Sequence, residues 1–245
     1  MALIYTPKQH AGLALLADPG KSRIVFDGGG RSGKTELLFD RMFWRAVHYP
    51  GSWHIILRKA RAHCMSALWN GTMMKYLAKH VDPNHGYIYK LNKDELTCNL
   101  INGSKIMFDG CDDEQRVRRI FGNEYCTMWF NEASEFTWDV VENLFSRAVQ
   151  RSDVDPRGKG HLPDTCPVQV WFDTNPKGRR HWLYKVGIQH LHPETGEPLR
   201  DADRWARLGG WSPYDNRQHL SEDAIATYEA MNGLTRERML NGTWC

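Results

Sequence analysis

The sequence predicts an α/β fold, a mainly parallel central β-sheet flanked by helices. Three observations predict it. Short apolar runs of strand length alternate with longer stretches of helical periodicity, the pattern that parallel strands joined by crossover helices require. A glycine cluster separates one such strand from the helix that follows. The 245 residues are 41% hydrophobic and 25% charged, the balance of a chain that buries a sizeable core.

The same numbers exclude several classes. This composition is too apolar for a disordered chain. No apolar run reaches the roughly 18–20 residues that span a bilayer, so no membrane association is expected. Met1 to Pro7 lacks a basic stretch followed by an apolar one, so no secretion signal is expected. The net charge of +3 permits a local basic track without demanding one. Six cysteines, at 64, 98, 111, 126, 166 and 245, form no C-x-x-C pair. That argues against a zinc ribbon or a thioredoxin-like motif and for reduced, mostly buried thiols. Ten tryptophans read as large core filler.

The elements follow in order. Thr6-Pro7 predicts a helix start, with Thr6 as cap and Pro7 in the first turn. Arg23 to Phe26 reads as a buried strand, and Phe39, Met42, Phe43 and Ala46 keep the spacing of one helix face. His54 to Leu57 is the next strand, and a helical stretch runs from about Ala62 to Lys79. Asn102-Gly103 between Glu95–Ile101 and Ser104–Phe108 signals an inserted β-hairpin. Cys126 to Phe130 is a buried strand, followed by a helix from about Thr137 to Val149. Arg151 to Thr165, polar and rich in Gly and Pro, reads as a surface loop. Val168 to Phe172 is the last clear strand, and the tail is expected to be mostly helical, over Ser221–Met231 and Thr235–Leu240.

Gly28-Gly29-Gly30-Arg31-Ser32-Gly33-Lys34-Thr35 fits G-x-x-x-x-G-K-[ST]. Glycines let backbone N–H groups turn inward around phosphate oxygens. Lys34 offers a cation to the β- and γ-phosphates of a nucleoside triphosphate, and Thr35 offers a hydroxyl to Mg²⁺. A helix opening at this point directs its positive end at the anion. The preceding strand and following amphipathic helix supply the context that separates this motif from a chance glycine turn. Hydrolysis needs carboxylate chemistry as well. Glu132, just past an apolar strand, is placed to polarise water opposite the γ-phosphate; its other reading is a cap on the next element. Asn131 stands where an acid would hold the metal's water shell, and its uncharged amide could serve there through water.

These residues resemble the ATPase domain of phage large terminase subunits, the motors that package double-stranded DNA into procapsids. Tyr5-Thr6-Pro7-Lys8-Gln9 is similar to the family's adenine-contacting segment, with Gln9 as the contact. Gly28 to Thr35 resembles its Walker A motif, and Asn131-Glu132-Ala133-Ser134-Glu135 its Walker B segment with the catalytic Glu. Asp173-Thr174-Asn175-Pro176 resembles the coupling motif, with Thr174 and Asn175 sensing loss of the γ-phosphate. Asp215-Asn216 through Arg238 to Trp244 resembles the end of that domain, so the likeness covers nearly the whole chain. It implies a P-loop NTPase of the ASCE type, using ATP and Mg²⁺ in the host cytoplasm of an infected bacterium. It implies double-stranded DNA, a portal or procapsid, a small terminase subunit and a ring of like copies as partners.

The expected organisation is one ATPase domain over 1–245, with a core to about 187 and a helical lid or linker from about 188. The family normally carries a nuclease domain. Only 69 residues follow Pro176, so no nuclease is expected from this chain: either it has been removed or it is encoded separately, which would make a nuclease subunit a partner. Asn131 is the other departure from the family pattern.

Arg116, Arg118 and Arg119 precede the Walker B-like strand, where the family often has an arginine that reaches a neighbouring subunit. Phe121 lies just before Gly122, where the family often has an Arg, so the resemblance leaves the register open; Arg119 is preferred for that role, then Arg118. The competing reading makes these arginines surface cations paired with Asp112, Asp113 and Glu114. Arg31, inside the loop, could sense nucleotide in cis. Arg58, Lys59, Arg61, Arg179 and Arg180 could touch duplex backbone, or form a solvated rim. His190-Leu191-His192 lacks ligand partners, and Ser32 and Ser134 lack a nucleophile-elbow pattern. Two other functions fit a P-loop: a helicase-like nucleic-acid translocase, and a nucleotide-binding assembly module with little turnover.

Overall fold

A computed structural model describes residues 4–81 and 89–245. α1 (Pro7–Ala17) starts where the sequence places it. The Thr6 hydroxyl accepts from the Gln9 N–H, and the Gln9 side chain accepts from the Thr6 N–H at 2.9 Å, a reciprocal cap. β1 (Arg23–Gly28), α2 (Lys34–His48) and β2 (Trp53–Arg58) follow. The predicted face of α2 is inside: Phe39, Met42 and Ala46 are fully buried. The stretch after β2 is helical, in three parts: α3 (Arg61–His63), a π-helical segment (Cys64–Met73) and α4 (Met74–His80).

β3 (Tyr89–Asn92), β4 (Thr97–Leu100) and β5 (Lys105–Gly110) form the inserted antiparallel unit. The Asn102-Gly103 hairpin is present between β4 and β5, with Gly103 at φ +85°. β3 and α5 (Glu114–Phe121) were not legible in the sequence pattern. β6 (Thr127–Asn131), α6 (Trp138–Phe145) and β7 (Gln169–Thr174) come where the sequence predicts them. The expected helical tail needs correction. α7 (Trp182–Tyr184), α8 (Glu222–Glu229) and α9 (Gly233–Met239) are there, but β8 (Trp205–Trp211) runs between them. Its Gly209-Gly210 pair reads as strand-breaking punctuation, which hid an edge strand whose ends are anchored by buried Trp205 and Trp211.

The strand order is β3-β4-β5-β2-β6-β7-β1-β8. β2 pairs in parallel with β5 and β6, and β1 in parallel with β8, so the sheet is mainly parallel. Strands of this kind are buried on both faces and read as continuous apolar runs. Ile55, Ile56, Leu57, Met128, Trp129 and Phe130 are all fully buried. Each such side chain contributes roughly 1.5–3 kcal/mol of burial.

The described residues fall into two compact units. One holds Leu38–Asn131 and Asp139–Val170; the other holds Ile4–Leu37, Glu132–Trp138 and Trp171–Cys245. All six cysteines are free thiols, four of them buried. No helix among the described residues is long and apolar enough to cross a membrane.

In the first unit, a polar chain is sealed under β2. The Ser104 hydroxyl donates to the Tyr49 carbonyl at 3.0 Å and lies 3.2 Å from the Ser52 hydroxyl, which lies 2.9 Å from His54 Nε2. The direction of donation puts the imidazole proton on Nε2, and Nδ1 meets no partner. Burial pushes the His54 imidazole well below its usual range, and the Arg45 charge adds to the shift. The fold therefore holds His54 neutral, while the unfolded chain takes up a proton near 6.5. Its contribution to stability is complete above that value and is lost as pH falls below it. The melting temperature should drop between about pH 7.5 and about pH 5.5, with a shallower drop in His54→Gln. Equal slopes for the two proteins would show that His54 is not the titrating group.

Candidate nucleotide site

The second unit holds the glycine loop, the turn after β6, the end of β7 and the C-terminal segment. Each loop glycine answers to a close neighbour. A Cβ on Gly28 would lie 2.3 Å from the Trp211 nitrogen and 2.4 Å from its oxygen; one on Gly29 would lie 2.2 Å from the Met239 oxygen. Gly29 N–H donates to Trp211 O at 2.5 Å and Gly30 N–H to Met239 O at 3.1 Å. The C-terminal segment thus lies against the loop's first half. Arg31 (φ +50°) and Gly33 (φ +89°) are left-handed, the turn that brings backbone N–H groups to one side. Asn216 Nδ2 donates to Arg31 O at 3.0 Å, and Gln9 Nε2 to Gly33 O at 3.2 Å. Gln9, which the family resemblance marks as an adenine contact, is thus hydrogen-bonded to the loop itself.

Lys34 opens α2 and is only 6% exposed. Its ammonium donates to Gly28 O (3.1 Å), Gly29 O (2.7 Å) and Ser32 Oγ (3.1 Å), so all three N–H donors are matched inside the loop. The Ser32 hydroxyl itself donates to Gly29 O. Burial lowers the lysine's pKa; Asp173, then Glu132, Asp27 and Asp215, oppose the shift. The hydrogen bonds of the loop and the field of these carboxylates replace the hydration that burial removes from the ammonium.

Two acids flank the loop. Asp173, the penultimate residue of β7, is 2% exposed, with Oδ2 3.5 Å from Thr35 Oγ1. The sequence analysis placed coupling at Thr174 and Asn175 and gave Asp173, in the same motif, no role of its own, although a charged residue near the end of a fully buried strand is itself a signal. The Thr174 hydroxyl donates to Asn175 O at 3.0 Å. Glu132 is left-handed, at φ +51° and ψ +53°. A non-glycine residue held so costs of order 1–3 kcal/mol, and such residues cluster at functional sites. Asn131, in the first unit, is 3% exposed, and its Oδ1 accepts from Arg58 Nη1 at 3.0 Å.

The loop after β7 carries contacts that no sequence pattern signals. Lys177 Nζ and His181 Nε2 both donate to Ser134 O, at 3.0 and 3.1 Å. Arg179 Nε donates to Trp244 O at 3.1 Å, and Trp244 Nε1 donates to Asp27 Oδ2 at 2.7 Å. Asp27, fully buried in β1, also takes both Nε (2.6 Å) and Nη2 (2.8 Å) of Arg207. Arg180 is exposed.

The other candidate arginines lie in the first unit. Arg119 is paired with buried Asp109. Arg61 Nη1 reaches the same carboxylate at 3.2 Å. Arg118 is 80% exposed and meets Glu114 at 3.6 Å. Arg116 pairs with Asp112 at 2.6 Å, whereas Asp113 caps α5. The surface-pairing reading therefore describes Arg116 and Arg118 better than Arg119. Lys59 is exposed. No group of three or more His, Cys, Asp or Glu side chains that could hold a metal ion is present among the described residues.

A family model described as phage terminase large subunit matches residues 21–238. The structure is similar to the large terminase of a thermophilic bacteriophage, with TM-score 0.73 and 21% identity over 99% of this chain and 54% of that one. The same phage protein in complex with ADP gives TM-score 0.71 and 21% identity, over 98% and 54%. The ATPase domain of the Thermus phage P74-26 large terminase gives TM-score 0.60 and 14% identity, over 95% and 92%. The chain spans about half the length of the first of these terminases. No curated protein sequence matches it.

The packing at Gly28 yields a direct test. Gly28→Ala forces the β1–β8 register open at Trp211 and should cost about 1–3 kcal/mol, read as a lower midpoint in urea. An unchanged midpoint would mean that the loop and Trp211 are not in close contact.

Proposed function

The chain belongs to the phage terminase large subunit family, and on that premise we propose that it is the ATP-hydrolysing part of a motor that drives double-stranded DNA into a procapsid. The observation that carries the proposal is the buried Lys34 ammonium, wrapped by a glycine loop and faced by Asp173 and Glu132. On this reading the whole of 1–245 is one ATPase domain working in the host cytoplasm. Its partners are DNA, a portal or procapsid, a small terminase subunit and further copies in a ring.

The roles follow from the chemistry of each side chain. Gln9 braces the loop and contacts the adenine, and Gly28 to Ser32 shape the phosphate cradle, with Arg31 sensing nucleotide in cis. Lys34 exchanges its contacts with Gly28 O and Gly29 O for phosphate oxygens. That exchange replaces neutral acceptors by charged ones, which form stronger hydrogen bonds. The hard oxygen donors Thr35 Oγ1 and the Asp173 carboxylate fit Mg²⁺ with retained waters, and Asn131 would act only through water. Bound there, Mg²⁺ would neutralise charge on the phosphates. Glu132 orients and deprotonates the attacking water. Thr174 and Asn175, at the end of β7, sense the loss of the γ-phosphate.

A steady-state ATPase assay tests the reading. Lys34→Ala should lose nucleotide binding and turnover together. Glu132→Gln should keep ATP binding and lose turnover by about 10²–10⁴-fold. Turnover near the parent rate in Glu132→Gln would remove Glu132 from the role of base. It would also favour the assembly-module reading if the parent itself turned over little.

The arginine that serves a neighbouring copy can be separated by mixing. Arg119 would have to leave Asp109, whereas Arg118 is already exposed, so we propose Arg118 ahead of Arg119 on the structural geometry. Arg118→Ala mixed with Lys34→Ala should recover turnover, because each copy supplies what the other lacks. Recovery with Arg119→Ala and not with Arg118→Ala would restore the sequence-based preference. Arg58, Lys59, Arg61, Arg179 and Arg180 remain the proposed DNA contacts, sequence-independent and weakened by salt.

A further inference from the structure

We infer that Lys177 and His181 are positioning residues for the catalytic carboxylate, acting together through the Ser134 carbonyl. The inference deepens the ATPase reading and rests on it. Glu132 leaves β6 in a left-handed conformation, and the chain turns at once through the 3₁₀ segment Ala133–Glu135. Within the turn, Glu135 N–H donates to Glu132 O at 2.9 Å and Phe136 N–H to Ala133 O at 3.2 Å. Ser134 O is held from outside instead. Lys177 Nζ at 3.0 Å and His181 Nε2 at 3.1 Å occupy both of its lone pairs. Trp182 Nε1 adds a third donor at 2.7 Å to Phe136 O.

All three donors come from the segment just after Thr174 and Asn175. His181 is oriented at both ring nitrogens. Its Nδ1 accepts from the Leu183 N–H at 3.2 Å as the cap of α7, which leaves the proton on Nε2 for Ser134. Trp182 and Trp244 flank the ring at 5.5 and 6.3 Å between centroids. The turn that carries Glu132 and the loop that follows the phosphate-sensing residues are therefore clamped into one body. A shift of the coupling segment moves the general base with it. A loosened clamp lets Glu132 relax from its left-handed backbone and turns its carboxylate off the attacking water.

Three features separate this role from plain structural support. The clamp acts on the chemical step, so kcat falls while KM for ATP holds. An imidazolium cannot accept from Leu183 N–H, so acid loosens the clamp. Burial already lowers the His181 pKa, the Ser134 hydrogen bond opposes that, and Lys177, the charged neighbour, adds to the depression. Glutamine can both donate to Ser134 O and accept from Leu183 N–H, so it can substitute for histidine.

The test compares the parent with Lys177→Met, His181→Phe, the double variant and His181→Gln. We expect kcat to fall roughly tenfold in the double variant, within the range that about 1 Å of misplacement produces, with KM and binding of a fluorescent ADP analogue unchanged. The acid limb of the kcat profile should flatten in His181→Phe, and His181→Gln should recover most of the rate. Amide exchange at Ala133 to Phe136 should rise in the double variant, a readout that needs no turnover. Unchanged exchange there, or a double variant with parental kcat, would overturn the inference. A parent that binds nucleotide without hydrolysing it would overturn the ATPase reading instead, while raised exchange in the double variant would still support the clamp.

Discussion

The structure of the second unit depends on keeping one ammonium group out of water. A buried charge is tolerated only when hydrogen bonds and opposite charges replace its hydration. Lys34 meets that demand with three loop acceptors at 2.7–3.1 Å and with the field of Asp173, Glu132, Asp27 and Asp215. The loop must wrap tightly to supply those acceptors, so side chains at 28 and 29 are excluded by Trp211 and Met239. The carboxylates must converge, so an acid stands at the C-terminal end of each of three strands: Asp27 and Asp173 are the penultimate residues of β1 and β7, and Glu132 directly follows β6. Lys34 is thereby satisfied within the loop by neutral acceptors, which form weaker hydrogen bonds than charged ones do.

The C-terminal segment belongs to this arrangement. Met239 and Trp211 take the N–H groups of Gly30 and Gly29, and Trp244 joins Arg207 on Asp27. Arg179 ties the loop after β7 to the same Trp244. The glycine loop, the C-terminal segment and the loop after β7 are thus joined by hydrogen bonds, backbone to backbone at Gly29 and Gly30 and through side chains at Trp244 and Arg179.

What could be read from the sequence was whatever local pattern determines. The apolar runs of β1, β2, β6 and β7, the α2 face and the Asn102-Gly103 turn all follow from periodicity and turn chemistry. The loop from Gly28 to Thr35 and Glu132 follow from spacing. β8 escaped because two glycines interrupt it, and its strand character comes from pairing with β1. β3 is short and only partly buried, so it carries little hydrophobic signal. The contacts of Lys177, His181 and Asp173 depend on residues 43, 47 and 138 positions away, and no local pattern encodes such separations. The preference for Arg119 over Arg118 could not anticipate Asp109, whose side chain meets Arg119 only once β5 and α5 have packed.

The most direct test of the central claim is a structure with a non-hydrolysable ATP analogue and Mg²⁺. The account predicts that Lys34 Nζ leaves Gly28 O and Gly29 O for the β- and γ-phosphates, with the Glu132 carboxylate facing a water in line with the γ-phosphorus. An analogue bound elsewhere, with Lys34 still enclosed by its own loop, would contradict it.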